Sequence, residues 1–76
     1  MQVSIRDPQG KIFTVEVNDN ETVKDLKEKI CEINQLPIIN QILFFDKMKL
    51  EDNRTLAEYN IVENSLVYLF IRYFDP

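Results

Sequence analysis

The chain opens with two stretches of strict alternation. Met1, Val3 and Ile5 alternate with Gln2, Ser4 and Arg6, and Phe13, Val15 and Val17 alternate with Ile12, Thr14 and Glu16. A period of two places each apolar set on one face of a strand, so the opening predicts a β-hairpin with one buried face. Its connection, Asp7-Pro8-Gln9-Gly10, suits a type I turn closed by a glycine bulge. Asp fits the first position, Pro presets φ at the second, and Gly accepts positive φ at the end. The period then changes. Val23, Leu26, Ile30 and Ile33 recur at helical spacing, which predicts an amphipathic helix with all four on its buried stripe. Thr22 is the expected N-cap, and Asp25 three residues on completes a capping box. Asn34 is the expected left-handed terminator, and Pro37 stops the helix from resuming.

Alternation returns after Pro37. In "QILFF", Leu43 and Phe45 share one face and Ile42 and Phe44 the other. Asp46-Lys47 reads as a turn, Met48 to Leu50 as a very short strand, and Asn53 as a residue able to take the left-handed conformation. One helical turn is expected near Thr55–Tyr59. In the final strand Val67, Leu69 and Ile71 oppose Leu66, Tyr68, Phe70 and Arg72. A mixed sheet with a single helix covers one face of the sheet and leaves the other toward water, an α+β, two-layer architecture in ββαββ order.

Composition narrows the function. With 76 residues the chain is one small domain at most, and 45% hydrophobic content argues against disorder. Cys31 is the single cysteine and there is no histidine, which excludes disulfides and leaves no metal or cofactor site to expect. It also removes Ser-His-Asp and Cys-His catalysis, so the chain is expected not to be an enzyme. Cys31 itself reads as a semi-exposed thiol without a role. The net charge of −4 disfavours nucleic acid and anionic membranes, and no apolar run is long enough to span a bilayer. A lone thiol fits a reducing cytoplasmic or nuclear setting.

The residues also carry a family resemblance. "LEDNRTLAEYNI" resembles the ubiquitin stretch "LEDGRTL" followed by "YNI". The opening "MQV", Gly10-Lys11, Glu16-Val17, Thr22, Lys27, Lys29-Ile30, Pro37, Gln41, Leu43, Phe45, Ser65, Leu69 and Arg72 match in register without a gap from Met1 to Arg72. The resemblance implies a ubiquitin-like β-grasp domain over residues 1–72, with the first and last strands parallel at the sheet centre. Residues 73–76 would then be a tail or the start of a linker to a larger protein. Asn53 stands where ubiquitin has a glycine, and Lys11, Lys27 and Lys29 read as ordinary surface charge.

Two departures bear on function. Conjugating members end in a flexible diglycine tail, whereas Tyr73-Phe74-Asp75-Pro76 follows Arg72 here. Bulky rings and a fixed proline φ do not thread a narrow activating channel as glycines do, so conjugation is disfavoured unless a longer precursor supplies a glycine end. The second departure is the outer face. The family's recognition patch is built around an isoleucine, a histidine and a valine, and here Phe44, Tyr68 and Phe70 occupy those places. Ile42 replaces an arginine, Pro8 rims the patch, and Lys47, Lys49 and Arg72 supply surrounding charge. A second element, such as a neighbouring domain or a self-dimer, would make these residues core. A partner-binding site is the favoured expectation, since small monomers seldom expose contiguous apolar surface and aromatics concentrate at interface centres. About 400 Å² of apolar burial gives ~10 kcal/mol gross, and ordering costs reduce that to micromolar affinity.

The reading is therefore a monomeric, non-covalent interaction module. Its expected partners are proteins: ubiquitin-binding domains, proteasomal receptors or a ubiquitin-pathway enzyme. A modifier matured from a precursor, or an intramolecular regulator of a ligase or deubiquitinase, stands as the alternative.

Overall fold

The computed structural model describes residues 1–73. The expected tail or linker of residues 73–76 lies outside the described residues except for Tyr73, which is 83% exposed.

Strands β1 (Gln2–Arg6) and β2 (Ile12–Glu16) form the expected hairpin, with Val3 opposite Val15 and Ile5 opposite Phe13. Its turn closes as the sequence predicts. The Gly10 amide donates to the Asp7 carbonyl at 2.9 Å, the Asp7 amide to the Lys11 carbonyl at 2.8 Å, and Gly10 takes φ +88°. The Asp7 carboxylate accepts from the amides of Gln9 and Lys11, locking the loop from inside.

Helix α1 (Val23–Asn34) starts with the predicted box: Thr22 Oγ1 accepts from the Asp25 amide and Asp25 Oδ2 from the Thr22 amide. A distant loop meets the remaining first-turn donors. The Val23 amide donates to the Arg54 carbonyl and the Lys24 amide to that of Asp52. Every free N–H of the first turn thus has a partner.

The helix end differs from expectation. Gln35, not Asn34, takes the left-handed conformation, at φ 60°. Asn34 remains helical, and its Oδ1 accepts from the Leu36 amide. Ile33 also leaves the buried stripe and is 50% exposed. The whole last turn, residues 31–34, is exposed or half-exposed, so helical spacing alone does not bury that position.

A short 3₁₀ turn, Ile38–Asn40, leads into β3 (Gln41–Phe45), which pairs with β4 (Met48–Lys49). Asp46 and Lys47 join them with φ of 52° and 67°, the mirror-image turn that matches strand twist. Asn53 is not left-handed; Asn60 and Asn64 are, at 60° and 66°. A second reciprocal box, Thr55 with Glu58, opens the 3₁₀ turn Ala57–Tyr59. Strand β5 (Leu66–Ile71) then enters between β1 and β3, giving the order β2-β1-β5-β3-β4 with β1 and β5 parallel. This is the mixed α+β sheet on one helix that the resemblance implies. The core between them is aliphatic: Val3, Ile5, Val23, Leu26, Ile30, Leu43, Leu56 and Val67 are wholly buried.

Lys27 is a further correction. It is 7% exposed, and its ammonium lies 2.6 Å from Asp52 Oδ1. Lys29 bridges Glu21 at 2.9 Å and donates to the Glu16 carbonyl at 2.8 Å. Neither is ordinary surface charge. Their stems cover the core edge while their heads tie the helix to the loops.

Candidate functional site

The outer face follows from strand register. Directly opposed residues point to the same side of a sheet. In the β3–β5 pair Ile42 opposes Phe70 and Phe44 opposes Tyr68. Lys49 of β4 opposes Phe44, and Arg6 of β1 lies beside Tyr68 across the parallel pair. All six therefore stand on the face opposite the helix. Their inward neighbours Leu43, Val67 and Leu69 are core.

Contact geometry agrees with register. The rings of Phe44 and Phe70 meet edge to face, with centroids 5.6 Å apart and planes at 88°. That arrangement brings a positive ring edge onto a negative ring face. Tyr68 and Phe70 are 39% and 49% exposed, while Phe44 and Ile42 are half-buried. The Arg6 guanidinium lies 5.8 Å from the Tyr68 ring centroid, within cation–π range.

The other predicted residues fall around this centre. Pro8 lines a shallow depression at the hairpin tip with Arg6, Tyr68 and Phe70. Arg72 and Lys49 line a second depression with Ile42, and Arg72 is fixed through its backbone, its amide donating to the Asn40 carbonyl at 2.7 Å. Lys47 sits in the β3–β4 turn, exposed, and lines none of the depressions around the aromatic centre. Sequence reasoning missed Arg6. Its position on the outward face of β1 was legible, but its neighbour Tyr68 is 62 residues away and reached only through the parallel pairing.

Among the described residues two carboxylates are perturbed, and both lie at the start of α1. Glu21 is held below the ordinary carboxylate range by the Asn18 amide and then by Lys29. Asp25 is held low by the amide and hydroxyl of Thr22. Both are structural, and neither adjoins the aromatic face. Among the described residues no cluster of acidic and cysteine side chains could hold a metal ion. No helix there is long and apolar enough to cross a membrane.

Comparison with known proteins places the whole described chain. The model of the ubiquitin family matches residues 2–73. The "UV excision repair protein RAD23 homolog" of Dictyostelium discoideum is 37% identical over 73 residues, 95% of this chain and 21% of that protein. The "Ubiquitin domain-containing protein 7SL RNA2" of Arabidopsis thaliana is 34% identical over 76 residues, 100% of this chain and 29% of that one. Human "Ubiquitin-like protein 4A" is 31% identical over 72 residues, covering 95% of this chain and 46% of the relative. The chain thus spans less than half the length of each of these relatives.

Proposed function

The chain belongs to the ubiquitin family, and from that premise we propose that residues 1–72 are a non-covalent docking module. Proteins that read ubiquitin would capture it through Ile42, Phe44, Tyr68 and Phe70, with Pro8, Lys47, Lys49 and Arg72 at the rim. The expected partners are ubiquitin-binding domains, proteasomal receptors or an enzyme of the ubiquitin pathway, met in the cytoplasm or nucleus. The module itself is non-catalytic and would act as one part of a larger protein.

One observation carries this reading. A ring pair packed edge to face at 5.6 Å is left partly open to water on a face that no described element covers. Rigid aromatics in that state lose little entropy on binding and gain most from desolvation. The test is titration of the isotope-labelled chain with a ubiquitin-binding domain. Resonances of Phe44, Tyr68 and Phe70 should shift, and Phe44→Ala with Phe70→Ala should weaken binding at least about tenfold, with the fold retained. Undiminished binding by that double variant would refute the proposal.

A further inference from the structure

The two edges of the sheet are finished differently. One edge is β4, which is two residues long and ends in Lys49. The other is β2, five residues from Ile12 to Glu16, with no proline, glycine or lysine and a continuous register against β1. Shortness, lysine, proline and bulges are the usual devices that stop an edge from pairing. The β4 edge has two of them, and β2 has none.

The hydrogen-bond phase of the hairpin decides what the β2 edge presents. The Met1 amine donates to the Val17 carbonyl at 2.7 Å, and the Val17 amide donates to the Met1 carbonyl at 2.8 Å. Bonded and non-bonded pairs alternate along an antiparallel ladder. Phe13 and Val15 therefore bond to β1, while Ile12, Thr14 and Glu16 turn their amides and carbonyls outward. Lys29 covers one of these groups, donating to the Glu16 carbonyl at 2.8 Å. The backbone groups of Ile12 and Thr14 have no partner among the described residues. Their side chains suit a further strand as well. Ile12 is 61% exposed, Thr14 is exposed on the same face, and Phe13 is half-buried on the other.

We propose that β2 is a self-recognition edge, through which two copies of this chain join antiparallel about a two-fold axis at Phe13. In that register Ile12 of each copy lies opposite Thr14 of the other. The two residues exchange both backbone hydrogen bonds, so the axis doubles them to four. The two Phe13 residues form the non-bonded pair at the centre, where opposed side chains come closest and aromatic pairs stabilise a sheet. Glu16 of one copy falls opposite Gly10 of the other, one residue from Lys11. Lys11 is exposed and in no ion pair among the described residues. An acid therefore meets an unmatched lysine at each end of the pairing.

The two five-stranded sheets become one, with both helices on one side and both outward faces uncovered on the other. The proposal therefore stands apart from the docking role above. Its strength is limited. Two five-residue edges bury much less than the ~1,200 Å² of a stable interface, and each copy carries a net charge of −4. A dissociation constant on the order of 0.1–1 mM follows. That matches the effective concentration that tethering supplies, so copies held together in one assembly would pair while dilute ones stay apart.

The experiment follows the isotope-labelled chain by amide spectra and sedimentation from about 10 μM to about 1 mM, the range that brackets that affinity. The amides of Ile12, Thr14 and Glu16 should shift with concentration and exchange more slowly with solvent, while the resonances of Phe44 and Phe70 stay fixed. Raising the ionic strength to about 0.15 M should tighten association by screening the like charges. Thr14→Pro removes an outward donor that the fold itself does not use, and should weaken association at least about tenfold. Ile12→Lys puts a charge on the edge and should weaken it about as much; if Thr14→Pro fails to fold, this exposed site decides alone. A synthetic peptide of residues 11–17 should shift the same amides, and a scrambled one should not. Concentration-independent spectra and sedimentation overturn the proposal. Association that moves Phe44 and Phe70, or that survives both variants, overturns it too. Equal binding of the scrambled peptide without self-association would assign the edge to a strand of another protein and overturn the second copy as its occupant.

Discussion

The two faces of the sheet are made from the same strands, one residue apart, and they obey different rules. Toward the helix, Val3, Ile5, Leu43, Val67 and Leu69 are branched aliphatics packed out of water. Toward solvent, Tyr68, Phe70 and Phe44 are rings held partly open. Aliphatic shape fills a closed volume, and the cost of disturbing it is stability. Rings with an exposed face and edge contribute less to folding and more to whatever covers them. The difference separates what holds this domain together from what it presents.

The sharpest way to break that division is within β3. Leu43→Ala empties a wholly buried site and should cost about 2–5 kcal/mol, enough to unfold much of so small a domain. Ile42→Ala, its outward neighbour, should cost about 1 kcal/mol or less. Urea denaturation of the two variants measures the contrast, and equal losses would mean that the outer face is core.

A smaller effect is expected at Lys27, a charged residue on the buried side. Lys27→Ala should cost about 2 kcal/mol through lost packing of the stem and the lost contact with Asp52. Lys27→Met keeps the stem and should recover roughly half, since Asp52 is half exposed and returns to water. If the two variants matched, the ion pair alone would account for the loss.

The smallest effect is on pH dependence. Glu21 and Asp25 both titrate below the ordinary carboxylate range in the fold. The stability they contribute is therefore present above their unfolded values and lost as pH falls through the folded ones. Thermal midpoints should be flat near neutrality and decline below about pH 4.5, with a shallower decline in Thr22→Ala, which removes one of the bonds holding Asp25 low.

Much of this was legible in sequence wherever the cause was local. The hairpin turn is encoded in four consecutive residues, and the capping box in Thr22 and Asp25. The alternation of "QILFF" separated Leu43 from Phe44, and the family resemblance placed Phe44 on the outer face. What escaped depends on partners distant in sequence. Lys27 looks like any exposed helix lysine until Asp52 arrives from a loop 25 residues on. Asn53 has the chemistry for a left-handed turn, but the hydrogen bonds of that loop to α1 hold it elsewhere, and Asn60 and Asn64 take the conformation instead. The outward set was predictable strand by strand. Its arrangement across the sheet was not, because strand neighbours are set by topology.

That topology has a consequence in time. Strand β5 lies between β1 and β3, and until it arrives those strands share no edge. A chain emerging from the ribosome can close its first hairpin and wind its helix early. It cannot assemble the outer surface, because Tyr68 and Phe70 travel on the strand that is translated after all the others. Closing the parallel pair joins Ser4 to Leu66, a loop of most of the domain, which is the slow kind of contact to make. A partner reading this surface, as proposed, would therefore meet only finished copies, because the strand that completes the fold also carries Tyr68 and Phe70.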